Sequence, residues 1–245
     1  PPSFQWRSPM QIFRPAAERG TVRADWLDSR HSFSFGRYYD PQWMGFGVLR
    51  VINEDRVAPG AGFPPHGHAN MEILSYVLEG ALAHRDNSGG EGVVRAGEWQ
   101  WMSAGHGIEH SEYNASKEAP VHFLQIWIQP DRVNAAPAHA QRGFDPEARR
   151  GRWATFASPD GADGSLAIRQ QAWVHGARLG DGEEVTHALK PLRRYWLQVV
   201  QGQAVVGGRT LSAGDAVGYA EEGHELRVAG SGDAAAEILL FDLPL

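Results

Sequence analysis

The stretch FPPHGHANMEILSYVLEG, residues 63–80, decides how this chain is read. Its second half is a β-rich apolar run that stops at Gly80. Its first half sets His66 and His68 one residue apart at what reads as the entrance of a strand. In a strand, residues i and i+2 point to one face, so both imidazoles enter the same space. A sheet offers two nitrogen ligands to one metal ion in this way. Two solvated loop histidines after Pro64 and Pro65 would show the same spacing, so a second half-site has to decide.

The wider texture is short β-rich runs broken by Gly, Pro, Asn and Asp, such as GFGVLRVINED, GVVRAGEWQWM, VHFLQIWIQP, YWLQVVQG and AEILLFDLPL. That is the pattern of a sandwich or barrel, and helical periodicity is scarce. LSYVLEGAL followed by RAGEWQWM is echoed by LQVVQGQAV followed by SAGDAVGY, with Gly80 matching Gly202 and Gly97 matching Gly214. Two copies of one β-barrel unit explain the echo economically. Between Pro130 and Gly164 the sequence loosens into small, charged and turn-forming residues, which places the connection there. The expected division is 1–135 for a metal-binding barrel, 136–160 for a linker and 161–245 for a degenerate second barrel.

The second half-site is WMSAGHGIEHSEYN, residues 101–114, where His110 and Glu112 repeat the i, i+2 spacing after a glycine turn. Three imidazoles and a carboxylate suit a divalent first-row metal and leave positions open on an octahedral ion. Two pairs at matched spacing favour the metal over chance pairing among eleven histidines. On an edge strand, Glu112 would instead be a surface residue.

Composition narrows the chemistry. With 23 basic and 29 acidic residues, a formal charge of −6 and no Lys/Arg run, direct nucleic-acid binding is disfavoured. Absence of cysteine excludes disulfides, thiolate ligands and a cysteine nucleophile, so any metal is held by His and carboxylate. No apolar stretch reaches the roughly twenty residues of a membrane span and no apolar signal core is evident, so a soluble, cytoplasmic protein is expected.

The pattern Gly60-x5-His66-x-His68-x3-Glu72, then Gly97 and His110-x3-Asn114, resembles the two motifs of the cupin superfamily, small β-barrels with a metal in the mouth. RHSFSFGRYYDP, MEILSYVLEG, QWMSAGHGIEHSEYN and HFLQIWIQP are similar to the pirin branch, above all to bacterial pirin-like quercetinases. The resemblance covers most of the chain and implies an all-β bicupin, two tandem jelly-roll-like barrels. It implies one divalent transition metal ion, Fe(II) first, with Mn, Ni, Cu, Co or Zn as alternatives. The implied ligands are His66, His68, His110 and Glu112. Other cupins use a first-motif glutamate, for which Glu72 is the candidate: it lies an even number of residues from His68 and shares its face if the strand runs straight. Pirins commonly read HPHR at the first motif; here Gly67 and Ala69 replace the proline and arginine, removing a rigid φ and a guanidinium near the site.

The implied activity is a quercetin 2,3-dioxygenase-like oxidoreductase. The flavonol and dioxygen are the substrates, Glu112 takes the 3-hydroxyl proton, and the ring opens with release of carbon monoxide. Phe63 and Trp101 either line the cavity or serve as barrel core. The alternative that the resemblance carries is a metal-dependent regulatory or redox-sensing module acting on a protein partner without turnover. A third is a zinc-filled barrel whose metal only ties strands together. Among the other histidines, His106 sits between two glycines within reach of substrate but is at a position whose residue type varies across the resembled family, so it is not counted in the site, and His84 and His122 read as core residues. His187 stands alone near the expected second His-x-His, and His224 with Glu225 is what remains of the second motif, so the C-terminal copy is expected to have lost its metal.

Overall fold

Glycine ends the run at position 80 for a steric reason, and ends its echo at 202 for the same one. Gly80 has φ 78°, and a Cβ there would lie 2.6 Å from the Pro120 carbonyl oxygen. Gly202 has φ 69°, and its Cβ would lie 2.7 Å from the Ala235 carbonyl oxygen. A side chain is excluded at both, so the chain folds tightly from Glu72–Glu79 into Ala81–Asp86, and from Arg193–Gln201 into Gln203–Val206.

The computed structural model describes residues 10–245, which contain strands and three short 3-10 turns and no α-helix. Among the described residues no helix is long and apolar enough to cross a membrane. The strands gather into two compact units. The first comprises residues 19–146 and 156–171. Its seven-stranded sheet runs Ala138–Gly143, Glu98–Ser103, Glu72–Glu79, Val121–Ile128, Leu49–Val57, Leu27–His31, Gly20–Ala24, and its four-stranded sheet runs Gly62–His68, Ile108–Asn114, Ala81–Asp86, Glu91–Arg95. Leu82 and Val94 of the smaller sheet pack with Val57, Val77, Val121 and Phe123 of the larger, closing one end of a barrel.

The second unit, residues 10–18, 147–155 and 172–245 of the described chain, repeats this plan. Ala216–Ala220, Arg193–Gln201, Ala236–Pro244 and Trp173–Leu179 are neighbours in that order, and Glu184–Ala188, Glu225–Ser231, Gln203–Val206 and Arg209–Ser212 form the smaller sheet. Even the irregularities coincide. Glu79 pairs with His122 and Val77 with Phe123; Gln201 pairs with Glu237 and Val199 with Ile238, so each copy carries its bulge at the same step. The all-β fold with two tandem barrels is therefore as expected.

The linear division at 135 and 161 differs from this arrangement. Met10–Arg14 pairs with Ala216–Ala220 and belongs to the C-terminal unit. Residues 136–146 and 156–171 belong to the N-terminal one, because Ala138–Gly143 adds to the edge at Glu98–Ser103. Small and polar composition in that stretch reflects an edge strand as well as a connection.

Candidate metal centre

Two strands carry the paired motifs, and they are neighbours. Ile108–Asn114 pairs with Gly62–His68 so that Ile108 lies opposite His68 and His110 opposite His66, followed by a register shift before Glu112 meets Phe63. The extra residue of that bulge falls at Pro64 and Pro65, which lack the N–H a regular ladder needs. His68 Nε2 lies 2.9 Å from His110 Nε2, which lies 3.0 Å from His66 Nε2. Two nitrogens each about 2.0–2.1 Å from one ion at a right angle would be about 2.8–3.0 Å apart, so both spacings match adjacent positions on an octahedral ion.

Protonation suits ligation too. Burial, with His110 and His66 nearby, pushes His68 down to about 4, and burial, with His66 and His84 nearby, pushes His110 down to about 3. Both rings are neutral at neutral pH, the form that binds metal. His66 Nδ1 lies 2.8 Å from the Pro64 carbonyl oxygen, so that nitrogen carries the proton and Nε2 keeps its lone pair for the centre.

Glu112 is 2 % exposed on a strand flanked on both sides, by Gly62–His68 and Ala81–Asp86, so it is not a surface residue of an edge. Gln125 Nε2 donates to both carboxylate oxygens, at 3.1 and 2.9 Å, and the Ser75 hydroxyl approaches one at 3.4 Å. Trp127 Nε1 donates to Gln125 Oε1 at 3.3 Å, which turns the amide so that its NH2 faces Glu112. Held this way, Glu112 falls into a second cluster with His84 and His110, beside the triad of His66, His68 and His110.

Glu72 is elsewhere. His68 ends a strand of the smaller sheet and Glu72 begins one of the larger, with Asn70 at φ 51° between them, so the face is not continuous. Glu72 is fully buried. Its carboxylate accepts from Trp101 Nε1 at 2.7 Å, from the Arg169 backbone N–H at 2.9 Å and from the Ser103 hydroxyl. Trp101 is thus a structural partner of Glu72, and Phe63 lines the cavity at the triad.

That cavity, about 500 Å³, is walled by Phe35, Phe63 and Trp127 on its apolar side and reaches His66, His68, Glu112 and Gln125. Trp127 meets the His68 ring edge-to-face at 4.8 Å and Phe35 at 5.3 Å. The cavity also takes in Ser29, His31, Asn53 and Asp55, which sequence reasoning missed, as it missed Gln125 and Trp127. A signal was present: Asn53 and Asp55 stand at i, i+2 in RVINEDRV, and Gln125 interrupts the apolar run HFLQIWI.

The second barrel provides an internal control. Anchored at Gly80 and Gly202, the registers place His187 where His66 stands, Leu189 at His68, Leu226 at His110 and Val228 at Glu112. Val206 stands at His84, Leu197 at Ser75, Leu240 at Gln125 and Ala177 at Asp55. All of these but the half-buried His187 are buried in one apolar cluster. The fold itself asks for apolar residues at these positions, each worth about 1.5–3 kcal/mol when buried for the Leu and Val cases, so the polar set of the first barrel serves the site. His224 takes the position of Ile108, not of His110.

Other histidines divide as follows. His106 is exposed, with its backbone N–H bonded to the Ala135 carbonyl. His122 is buried against Glu54 at 2.9 Å, a satisfied core residue. His84 is bonded to Asp86 at 2.9 Å and its ring centre is 5.4 Å from that of His110, so it belongs to the site's surroundings and is not simple core.

Comparison with known proteins identifies the family. The family model "Pirin" matches residues 12–128, and the model "Quercetinase C-terminal cupin domain" matches residues 155–243. A quercetin 2,3-dioxygenase of Escherichia coli K12 is 44 % identical over 96 % of this chain and 99 % of its own. A pirin-like protein of Caulobacter vibrioides is 44 % identical over 85 % of this chain and 90 % of its own. The crystal structure of the bacterial pirin YhhW from Escherichia coli in complex with nickel(II) superposes with a TM-score of 0.90, at 44 % identity, covering 96 % of this chain and 99 % of that one.

Proposed function

The chain belongs to the pirin family, and from that premise we propose that it is a metal-dependent dioxygenase that opens a flavonol such as quercetin with dioxygen. The observation that carries the proposal is the convergence of three imidazole Nε2 atoms, 2.9 and 3.0 Å apart, at a cavity that also holds a buried carboxylate. His66, His68 and His110 would hold the ion, with Glu112 as the fourth ligand. Fe(II) is the proposed resident metal, since dioxygen chemistry favours an ion that changes oxidation state. When bound, such an ion supplies a Lewis acid for the flavonol oxygens and redox chemistry toward dioxygen.

The chain's own residues do the rest. Pro64 holds the His66 tautomer. Phe35, Phe63 and Trp127 receive a flat aromatic ligand and keep water from it. Glu112, a buried carboxylate beside the triad, takes the proton of the 3-hydroxyl at a carboxylate oxygen as the flavonol binds. Gln125 fixes the position of that carboxylate by donating to both oxygens. An acceptor that hydrogen bonds anchor beside the triad can ligate or take a proton without leaving the cavity.

The test is turnover of quercetin in air by Fe, Mn, Ni, Cu, Co and Zn forms, following loss of the flavonol and release of carbon monoxide. Turnover by at least one redox-active form, lost in Glu112→Gln, is the expected result. No ring opening with any of the metals sinks the proposal.

A further inference from the structure

Strands Leu27–His31 and Leu49–Val57 turn four polar side chains toward the cavity, where a barrel wall is normally apolar. Ser29 lies opposite Asp55 and His31 opposite Asn53 across the ladder. The Ser29 hydroxyl bonds to the Asp55 carboxyl, and His31 Nε2 lies 2.8 Å from the same hydroxyl, so the three form one chain. All four residues are buried, and none belongs to the histidine triad or contacts it in the bonds described above.

The internal copy shows that the fold does not require a carboxyl here: the second barrel has Ala177, inside an apolar cluster, where the first has Asp55, and keeps a polar residue, His175, where the first has Asn53. A buried carboxyl costs free energy unless something compensates it. Burial, above all, with Glu112 and Glu54 adding like charge, raises the Asp55 carboxyl to about 7 despite the Ser29 hydrogen bond. At neutral pH it can either donate or accept a hydrogen bond. Of the rest of the wall, Val22, Leu27, Phe35, Phe63 and Trp127 are apolar, and the exposed Arg37 also borders the cavity. The cavity therefore suits a flat aromatic ligand that carries polar groups beyond the one that meets the triad.

We infer that Asp55, wired through Ser29 to His31 and flanked by Asn53, is a hydroxyl-recognition subsite that selects aromatic substrates carrying a further phenolic hydroxyl, away from the group that meets the metal. This rests on the flavonol reading above and narrows it to polyhydroxylated flavonols. A site built to bond a hydroxyl rejects the analogue that lacks it, because its own polar groups are then left unpaired.

The experiment is anaerobic calorimetric titration of the metal-loaded protein, so that binding is read without turnover. Quercetin is compared with 3-hydroxyflavone, which keeps the 3-hydroxyl and 4-keto groups and lacks the other hydroxyls. Wild type is expected to prefer quercetin by about tenfold or more, the effect of one buried hydrogen bond left unmade. Asp55→Ala, which installs the residue of the internal copy, should bring the preference to within about twofold with its metal content unchanged. Asp55→Asn, which keeps volume and removes the carboxyl, should reduce it about threefold or more and stands in if the alanine variant fails to fold. A wild type without preference, or a preference that stays at the wild-type level in either folded variant, overturns the subsite and leaves the flavonol reading standing. If neither flavonol binds wild type, both fall.

Discussion

Replacement of Glu72 by glutamine separates the two glutamates that the paired motifs offer as ligands. Glu72 receives three donors: Trp101 Nε1 and the Arg169 N–H on one oxygen, and the Ser103 hydroxyl on the other. A glutamine carbonyl can keep the first two, but as neutral bonds, which are weaker by about 1 kcal/mol each than bonds to a carboxylate. Its NH2 then faces Ser103, whose oxygen already accepts from Arg169 Nη1 at 2.9 Å, and the displaced hydroxyl proton costs about 1–3 kcal/mol more. The sum is about 3–5 kcal/mol, a melting temperature lower by roughly 6 °C or more for a unit of this size. Metal affinity should stay within about tenfold, the low end of effects transmitted through neighbouring side chains. Thermal melts and metal titration of Glu72→Gln beside Glu112→Gln check this. Loss of metal from Glu72→Gln with an unchanged melting temperature, while Glu112→Gln keeps its metal, would refute the reasoning and move the ligand to the first motif.

Further predictions concern the triad, the turns and pH. His66→Ala, His68→Ala and His110→Ala should each strongly reduce bound metal, and His187→Ala and His224→Ala should leave the stoichiometry unchanged by elemental analysis; the reverse pattern would put the site in the second barrel. His110→Leu, which copies Leu226, should abolish metal binding and yet melt no lower than metal-free wild type, because the position is apolar in the copy; a lower melting temperature argues that the imidazole is structural. Gly80→Ala and Gly202→Ala should each destabilise by about 1–2 kcal/mol from backbone conformation alone, with the carbonyl contact adding to it, as read from denaturant midpoints; a neutral outcome at either denies the shared turn. His175 is pushed down to about 4, by burial first and by His187. As pH falls from about 6.5 to about 4 the unfolded chain takes up that proton before the folded one does, so stability is lost over this window. His175→Gln should flatten the decline of melting temperature over that range relative to wild type, and identical slopes would contradict it.

Sequence alone determined what depends on local rules. Period-2 spacing fixed which side chains share a strand face, so His66 with His68 and His110 with Glu112 were legible as pairs. Glycine's access to positive φ made Gly80 and Gly202, and with them the repeated barrel, visible in one dimension. Lack of cysteine limited the donors to imidazole and carboxylate.

What remained depends on which strands become neighbours. The face shared by His68 and Glu72 exists only if one strand runs through both, and the fold instead sends the chain from one sheet to the other at Asn70. Gln125, Ser75 and Asp55 enter the site from strands 13 or more positions away in the chain from Glu112, through pairings that no local pattern specifies. First-strand membership is decided the same way: Met10–Arg14 lies beside Ala216–Ala220 because a sheet edge there offers it a ladder, more than 200 residues downstream. Local conformation is written in neighbouring residues; cross-strand chemistry is set by the long-range burial that chooses partners for each edge.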